Sequence, residues 1–318
     1  MQLGPALTRL LSTLPMLLGG KYDELFAGPA VPIAVSPPIL PRAATTQQPP
    51  ATTDSLRLLS WNLLAPPYVR SGGREGEAAG LARAKQQIAY VADSDSDVIG
   101  LQEFWSGSEP YTDLWRAYAS DHGYILHVCP RVNGKADGCA MLVRDTVCAS
   151  PTFSAYTYDD WGSRVLQQCD LQMPTLGGAS VPLTLMNTHL TFPHESEHDP
   201  AMRFHQARKI ALLVNPHPPT AATVVLGDMN APDERDPALG VLTSLGGLTP
   251  LPPRGADGAR WVSHVAHTGS LMACDQFLTR GACRVSEWRL GGSHEELISR
   301  TLPSDHRPLH ATLRLGEE

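Results

Sequence analysis

The stretch Ala222-Thr-Val-Val-Leu-Gly-Asp-Met-Asn230 decides the fold assignment, because an unbroken apolar run in it ends in a polar motif. A short run of valine and leucine indicates a buried β-strand. Further along the chain, Ser304-Asp-His306 precedes a second apolar run, Pro308-Leu-His-Ala-Thr-Leu313. Both motifs therefore stand at strand ends, where an acid, an amide and an acid–imidazole pair can converge on one phosphate. This set suits a metal-assisted attack of water on phosphorus.

Short apolar runs alternate with amphipathic segments from Ser55 onward. The runs predict strands at Leu56–Trp61, Val98–Gln102, Tyr124–Cys129, Cys139–Val143, Val165–Leu171, Val181–His189, Thr223–Leu226, Cys274–Leu278 and Leu309–Leu313. Helical spacing of apolar residues predicts helices at Gly80–Ala92, Tyr111–His122 and Pro200–Val214. This mixture favours packed sheets with helices outside, in one domain without an internal repeat.

Residues 1–54 differ in composition from the rest of the chain. They contain a Thr-Thr-Gln-Gln tract and prolines at positions 29, 32, 37, 38, 41, 49 and 50. Such composition is typical of an extended linker, so we predict a disordered leader at residues 1–54 and a catalytic domain at residues 55–318. No acid precedes Asp23, which leaves an organellar presequence as an open alternative.

Composition limits the classes of partner. The net charge of −7 and the pI near 5.9 argue against a broad basic surface that grips duplex nucleic acid. They do not exclude a nucleic-acid substrate, because an active-site groove can be locally positive. Six cysteines without C-x-x-C spacing predict buried thiols in a reducing compartment. No stretch is long and apolar enough to span a membrane, and we expect an intracellular, cytoplasmic monomer.

Two polar residues follow predicted strands in the first part of the chain. Asn62 comes after Leu58-Leu-Ser-Trp61 and could orient a metal ligand or a phosphate oxygen, although a lone asparagine there is more typical of a turn. Glu103 ends the run Val98-Ile-Gly-Leu-Gln102. A carboxylate at this point could hold Mg²⁺, which takes oxygen ligands and few protein groups.

Two further pairs stand at strand ends in the second half. Asn187 and His189 alternate along a strand and face the same side, so a phosphate could receive a donor from each. Asp228 could orient or deprotonate water, and Asn230 could donate to a non-bridging phosphate oxygen.

One acid lies inside an apolar strand. Asp275, in Cys274-Asp-Gln-Phe-Leu278, needs a partner if it is buried, and His306 is the candidate. Asp305 could be a second carboxylate near the metal, while His306 contacts phosphate or water.

The chain resembles the endonuclease/exonuclease/phosphatase superfamily in a series of motifs, which in chain order are Ser60-Trp-Asn62, Leu101-Gln-Glu103, Asn187-Thr-His-Leu190, Gly227-Asp-Met-Asn230, Cys274-Asp-Gln-Phe277 and Ser304-Asp-His306. The resemblance spans roughly residues 55–316. Asp137-Gly-Cys-Ala-Met141 resembles the carbon catabolite repressor (deadenylase-like) branch. Leu101-Gln-Glu-Phe-Trp105 and Arg260-Trp-Val-Ser-His264 are closer to plant EF-hand-bearing members, whose calcium-binding part we do not find here.

The resemblance implies a four-layer α/β sandwich, with two central mixed β-sheets flanked by helices and a Mg-dependent phosphodiesterase site at one edge. Mn²⁺ is the alternative metal. The implied roles are metal binding by Glu103, Asn62 and Asp305, substrate binding by Asn187 and Asn230, and catalysis by Asp228, His306, His189 and Asp275.

These expectations favour a 3′–5′ exoribonuclease of deadenylase type, with RNA as substrate. A sphingomyelinase-like or inositol-phosphate phosphoesterase is the first alternative, because the same core catalyses both reactions. A non-catalytic binding scaffold is the second alternative, although a scaffold has no need of the whole set of polar residues.

Overall fold

The computed structural model describes residues 28–41, 54–69, 75–148, 150–174, 180–194, 198–252, 254–255 and 261–316. Its strands are β1 (Val31–Ile33), β2 (Ser55–Asn62), β3 (Val98–Trp105), β4 (Tyr124–Pro130), β5 (Asp137–Arg144), β6 (Thr152–Thr157), β7 (Val165–Pro174), β8 (Ser180–His189), β9 (Ala222–Asp228), β10 (Thr249–Pro250), β11 (His264–Val265), β12 (Leu271–Met272), β13 (Asp275–Gly281), β14 (Cys283–Leu290) and β15 (Leu309–Leu315). The helices are α1 (Glu77–Asp93), α2 (Glu109–Asp121), α3 (His198–Val214), α4 (Pro237–Ser244) and α5 (His294–Ser299). Every strand and helix predicted from the sequence is therefore confirmed, with ends that differ by a few residues.

Two mixed β-sheets form the centre of the fold. The first sheet has the strand order β1-β6-β7-β8-β9-β13-β10, and the second has the order β14-β15-β2-β3-β5-β4. The pair β8–β9 is parallel in the first sheet, and the pair β2–β3 is parallel in the second. A small separate ribbon is formed by β11 and β12.

Three apolar clusters show how the layers stack. The central cluster contains Leu58 of the second sheet and Phe277 of the first, so the two sheets pack face to face. On the outer face of the first sheet, Ile210 of α3 belongs to a cluster with Val225 of β9. On the outer face of the second sheet, Trp115 of α2 belongs to the third cluster. The predicted four-layer α/β sandwich is confirmed.

Residues 28–41 belong to the segment for which we predicted disorder. Val31–Ile33 form β1, which pairs antiparallel with β6, and Ile39 makes a bridge with Leu126 of β4. A proline such as Pro32 is tolerated on an edge strand, where a missing N–H costs no ladder hydrogen bond. The prediction of disorder is therefore wrong for this stretch, which packs against the edges of both sheets. The rest of the predicted leader before Asp54 lies outside the described residues.

Two general properties follow from the described structure. None of the helices in the described ranges combines the length and hydropathy that crossing a bilayer requires. All six cysteines are free thiols, and five of them are buried.

The pairing of the strands places the candidate residues at one end of the sandwich. His189 lies opposite Asp228 in the parallel pair β8–β9, and Asp275 lies opposite Asp228 in the antiparallel pair β9–β13. In the facing sheet, Asn62 lies opposite Gln102 at the end of β2 and β3. Residues far apart in the sequence therefore meet where the parallel strands of both sheets end.

His127 of β4 gives the fold a predictable response to acid. It is 1% exposed, its Nδ1 lies 2.7 Å from Gln167 Nε2, and its ring stacks on Phe153. Burial lowers the pKa of His127 to about 4. Between this value and the ordinary pKa near 6.5 the unfolded chain binds a proton that the folded chain does not. The free energy of unfolding should therefore fall as the pH is lowered through this window.

Replacing His127 with Gln should flatten that pH dependence by up to about 1.4 kcal/mol per pH unit between roughly pH 4 and 6.5. Urea unfolding followed by tryptophan fluorescence at several pH values measures the slope. An identical slope in the wild type and the variant would show that His127 does not stay neutral in the folded protein.

Candidate active site

The ends of β2, β3, β8 and β9 open into a cleft of about 460 Å³. The predicted site residues that line this cleft are Asn62, Glu103, His189, Asp228, Asn230, Asp305 and His306. Asp275 lies directly behind His306, to which it is hydrogen-bonded. Asn187 does not reach the cleft. The structure thus brings together all but one of the residues that the sequence singled out.

Asp228 lies at the centre of the polar cluster. Its Oδ2 accepts a hydrogen bond from Asn62 Nδ2 at 3.0 Å and lies 3.3 Å from His189 Nε2 and 3.6 Å from His306 Nε2. Its Oδ1 accepts from the backbone N–H of Asn230 at 2.9 Å. Burial raises the pKa of Asp228 to about 6. The carboxylate is therefore fixed in position and ionised at neutral pH.

His306 is held as an imidazolium. Its Nδ1 donates to Asp275 Oδ2 at 2.9 Å, and Asp275 is completely buried. Burial opposes the charge, but the carboxylates of Asp275 and Asp228 outweigh it and raise the pKa of His306 to about 10. The ring of His264 stacks on that of His306 with centroids 4.0 Å apart. The Nε2–H of His306 is thus available to donate toward the cleft.

His189 has a defined tautomer because of a residue that the sequence did not reveal. Arg164 Nη1 donates to His189 Nδ1 at 2.8 Å, so Nδ1 is the acceptor and Nε2 carries the proton that faces Asp228. Burial holds the pKa of His189 well below its usual range, so the ring is neutral. Arg164 precedes β7, and β7 pairs with β8 so that Leu166 lies opposite Thr188. Only this pairing, which the sequence does not state, places Arg164 beside His189.

The side chain of Glu103 reaches the cleft because β3 is irregular at this point. The register with β5 shifts between Gln102 and Phe104, and Glu103 has a φ of 51°. A left-handed conformation is uncommon for a residue other than glycine, and such strain concentrates at functional sites. Glu103 Oε2 accepts from the backbone N–H of Ala65 at 2.8 Å, and Oε1 accepts from Asn62 Nδ2 at 3.3 Å.

The carboxylates of Glu103 and Asp305 fit a divalent cation. Burial and then the negative charge of Asp305 raise the pKa of Glu103 to about 7, as expected when two acids share a buried site. Hard oxygen donors with room for water are the ligand set that Mg²⁺ prefers.

Asn62 is placed differently from the prediction. Its Oδ1 accepts from the backbone N–H of Leu64 at 2.9 Å, while its Nδ2 faces the carboxylates of Glu103 and Asp228. An amide nitrogen has no lone pair for a metal, so the prediction of Asn62 as a metal ligand is corrected. The side chain instead orients both acids, which was the other role considered for it.

Asn187 is a structural residue. It is fully buried between the sheets, where its Nδ2 donates to the carbonyl groups of Leu101 and Ala140 and its Oδ1 accepts from Gln102 Nε2 at 2.8 Å. Alternation does place Asn187 and His189 on one face of β8. That face points at the second sheet, however, and only the last residue of the strand reaches the cleft. The predicted substrate-binding role of Asn187 is therefore corrected.

Basic residues that the sequence analysis did not single out complete the cleft. Its arginines are Arg83, Arg131, Arg164 and Arg300. Arg83 forms an ion pair with Glu75, and Arg131 forms one with Asp137, the acid of the Asp-Gly-Cys-Ala motif. Arginine suits bidentate contacts with phosphate. A chain with a net charge of −7 thus brings four arginines together in one cleft.

Arg164 should matter for catalysis through His189. Replacing Arg164 with Gln should lower kcat/KM for a phosphodiester substrate roughly 10- to 100-fold, because the ring of His189 loses the donor that orients it and the cleft loses a cation. Steady-state hydrolysis rates measure the effect. Arg144, partly buried and bonded to Asp95 and Tyr124 outside the cleft, is a matched control for the same substitution. Equal rates for both variants would contradict this role.

Comparison with known proteins identifies the family. A family model described as the Endonuclease/Exonuclease/phosphatase family matches residues 59–306. This chain belongs to that family. Members of the endonuclease/exonuclease/phosphatase family are generally hydrolases that act on phosphodiester bonds, and they generally use divalent metals. The resemblance inferred from the motif series is confirmed.

A plant protein is among the relatives of this family member. An uncharacterized calcium-binding protein of Arabidopsis thaliana is 27% identical over 238 residues, which cover 68% of this chain and 49% of that protein. The chain therefore spans about half the length of the curated relative it matches. This relative agrees with the predicted resemblance to plant calcium-binding members.

Solved structures of the family share the fold. ANGEL2, a 2′,3′-cyclic phosphatase solved with adenosine-2′,3′-vanadate, has a TM-score of 0.65 at 15% identity and covers 82% of this chain and 96% of its own. The human Nocturnin catalytic domain with bound sulfate has a TM-score of 0.60 at 17% identity, and the match covers 84% of this chain and 100% of the Nocturnin chain. D. rerio TDP2 with a single-strand DNA product has a TM-score of 0.58 at 16% identity, and the match covers 82% of this chain and 99% of the TDP2 chain. Identities this low establish the fold alone.

Proposed function

We propose that this chain is a Mg-dependent phosphodiesterase that removes nucleotides from the 3′ end of RNA, as a deadenylase-type exoribonuclease. One observation carries the proposal. Asp228 Oδ2, which can accept a proton, lies 3.6 Å from His306 Nε2, which can donate one, within a cleft lined by arginines. An ionised acid beside an imidazolium can supply both the proton acceptor and the charge stabilisation that hydrolysis of a phosphodiester uses.

Each residue of the cluster has a separate role in the proposed reaction. Asp228 accepts a proton from the attacking water, and Asn62 and His189 hold the carboxylate in place for this transfer. A new bond forms between the water oxygen and phosphorus while the bond from phosphorus to the leaving 3′ oxygen breaks, and that oxygen takes up a proton from solvent to become a hydroxyl. His306, oriented by Asp275, donates to a phosphate oxygen and so stabilises the charge of the five-coordinate phosphorus.

We propose Mg²⁺ as the cofactor, with Mn²⁺ as the alternative, held by Glu103 and Asp305. When bound, the ion neutralises charge on the scissile phosphate. Asn62 supports this site by donating to Glu103, which keeps the carboxylate facing the cleft.

A nucleic-acid substrate, such as the RNA proposed here, is supported by the ligands of the structural neighbours. ANGEL2 was solved with an adenosine vanadate and D. rerio TDP2 with a single-strand DNA product. The arginines of the cleft provide donors for the phosphates of such a chain. The Asp137 motif of the deadenylase-like branch holds one of these arginines, Arg131, at 3.0 Å.

A panel of substrates tests the proposal. The full chain is offered oligo(A), an abasic duplex, sphingomyelin and phosphoinositides, each with Mg²⁺ or with a chelator. Shortening of oligo(A) one nucleotide at a time, only with Mg²⁺, supports an exoribonuclease. Release of phosphocholine or of inorganic phosphate from the lipids, with oligo(A) intact, would overturn it in favour of a lipid phosphoesterase. No product from any substrate would favour a non-catalytic scaffold.

A further inference from the structure

A second cavity, of about 610 Å³, adjoins the cleft on the Glu103 side. The two cavities share Tyr68 and Glu75 in their walls. Ala65, which donates to Glu103, immediately precedes the 3₁₀ turn Pro66–Tyr68 that forms one wall of the second cavity. The second cavity is therefore a direct neighbour of the cleft.

Three aromatic side chains contribute to the walls of the second cavity. Trp105, two residues after Glu103 in β3, is half-buried and lines it, together with Tyr68 and Tyr111. The indole of Trp105 packs on Gly107, where an added Cβ would lie only 2.4 Å from a ring atom. A side chain other than hydrogen at Gly107 would displace the ring. The indole therefore packs against Gly107 and the third apolar cluster, and part of it lines the cavity.

The charges of the second cavity differ from those of the cleft. Among the described residues that line it, Lys135 is the one cation, and it is exposed. Glu75 is paired with Arg83, and the exposed Glu77 accepts a hydrogen bond from Ser108 Oγ at 3.2 Å. An anionic group is disfavoured beside such acids. An uncharged ring with amino groups is favoured, because Glu77 can accept hydrogen bonds from it.

We propose that this cavity binds the nucleobase of a nucleotide that adjoins the scissile phosphate, with the base stacked on Trp105. The inference rests on the proposed function, since it assumes a nucleotide substrate in the cleft. The carboxylate of Glu77 favours bases that carry an exocyclic amino group, such as adenine. Trp105 is accordingly a substrate-binding residue outside the catalytic cluster.

Binding of small ligands tests this assignment without depending on turnover. The full chain is titrated in a calorimeter with 5′-AMP, with 3′-AMP and with ribose 5-phosphate, which lacks the base. Stacking of one base on an aromatic ring corresponds to roughly 5- to 150-fold in affinity. We expect at least one AMP isomer to bind about 5-fold or more tightly than ribose 5-phosphate. Replacing Trp105 with Ala should abolish this preference, and replacing it with Phe should retain most of it.

Trp288 supplies the matched control. It is also half-buried but lies on β14, where it packs against Trp261 rather than against the second cavity. The Trp288→Ala variant should keep the preference for AMP. A preference for AMP that survives in Trp105→Ala would overturn the inference.

Turnover separates this inference from the proposed function. Suppose that the wild type shortens oligo(A) and that Trp105→Ala does so with unchanged kcat/KM. The proposal of a base-binding cavity is then wrong, while the proposed exoribonuclease activity is retained. If wild type neither binds AMP nor shortens oligo(A), both are wrong. Loss of kcat/KM in Trp105→Ala but not in Trp288→Ala supports both.

Discussion

Replacing His306 with Ala is expected to reduce the turnover of oligo(A) about 100- to 10,000-fold, the range for loss of a group that moves a proton or stabilises charge in the transition state. The expectation rests on the contacts of its two ring nitrogens. Nδ1 is fixed by Asp275, and Nε2 is left facing Asp228 and the cleft. Single-turnover kinetics measure the chemical step without a contribution from product release.

His310 is a matched control for this substitution. It is a buried histidine on β15, and its Nε2 lies 3.1 Å from the hydroxyl of Tyr90, outside the cleft. We expect His310→Ala to change turnover by less than about 3-fold once folding is verified, since surface and packing changes away from the chemistry act mainly on stability. A rate near that of wild type in His306→Ala would remove His306 from the mechanism.

Replacing Glu103 with Gln is expected to raise the Mg²⁺ concentration for half-maximal activity by at least about 10-fold, because the site loses a charged oxygen ligand. The amide oxygen of Gln can still accept from the backbone N–H of Ala65, so the bulge in β3 should survive. Activity as a function of Mg²⁺, together with calorimetric titration of Mn²⁺, measures both function and binding.

The control for the loss of one carboxylate is Glu109→Gln. Glu109 is exposed in the first turn of α2 and does not line the cleft. Its substitution should leave the Mg²⁺ dependence unchanged. A Glu103→Gln variant with the Mg²⁺ dependence of wild type would show that the metal is held elsewhere.

The catalytic cluster could be predicted because its signals are local in the sequence. Asp228 and His306 each stand beside a short apolar run, and such a run indicates a buried strand. Ordering these motifs along the chain was enough to expect one site. For the same reason Asp275, an acid within an apolar strand, was correctly paired with His306.

The errors concern contacts that no local signal encodes. Asn187 and His189 share a face of β8, but the depth of each residue between two sheets depends on how the sheets pack. Arg164 reaches His189 only through the pairing of β7 with β8. The proline-rich stretch around Val31 has the composition of a linker, yet an open sheet edge binds it. Strand β14 was missed because its exposed residues give no apolar run.

Hydrolysis of oligo(A) in ¹⁸O-labelled water tests the central claim most directly, namely that the cleft around Asp228 and His306 directs water onto phosphorus. With the full chain and Mg²⁺, mass spectrometry should find 5′-AMP that carries one ¹⁸O on its phosphate, and His306→Ala should release almost none. Unlabelled AMP from the wild type, or equal labelled product from His306→Ala, would contradict the account.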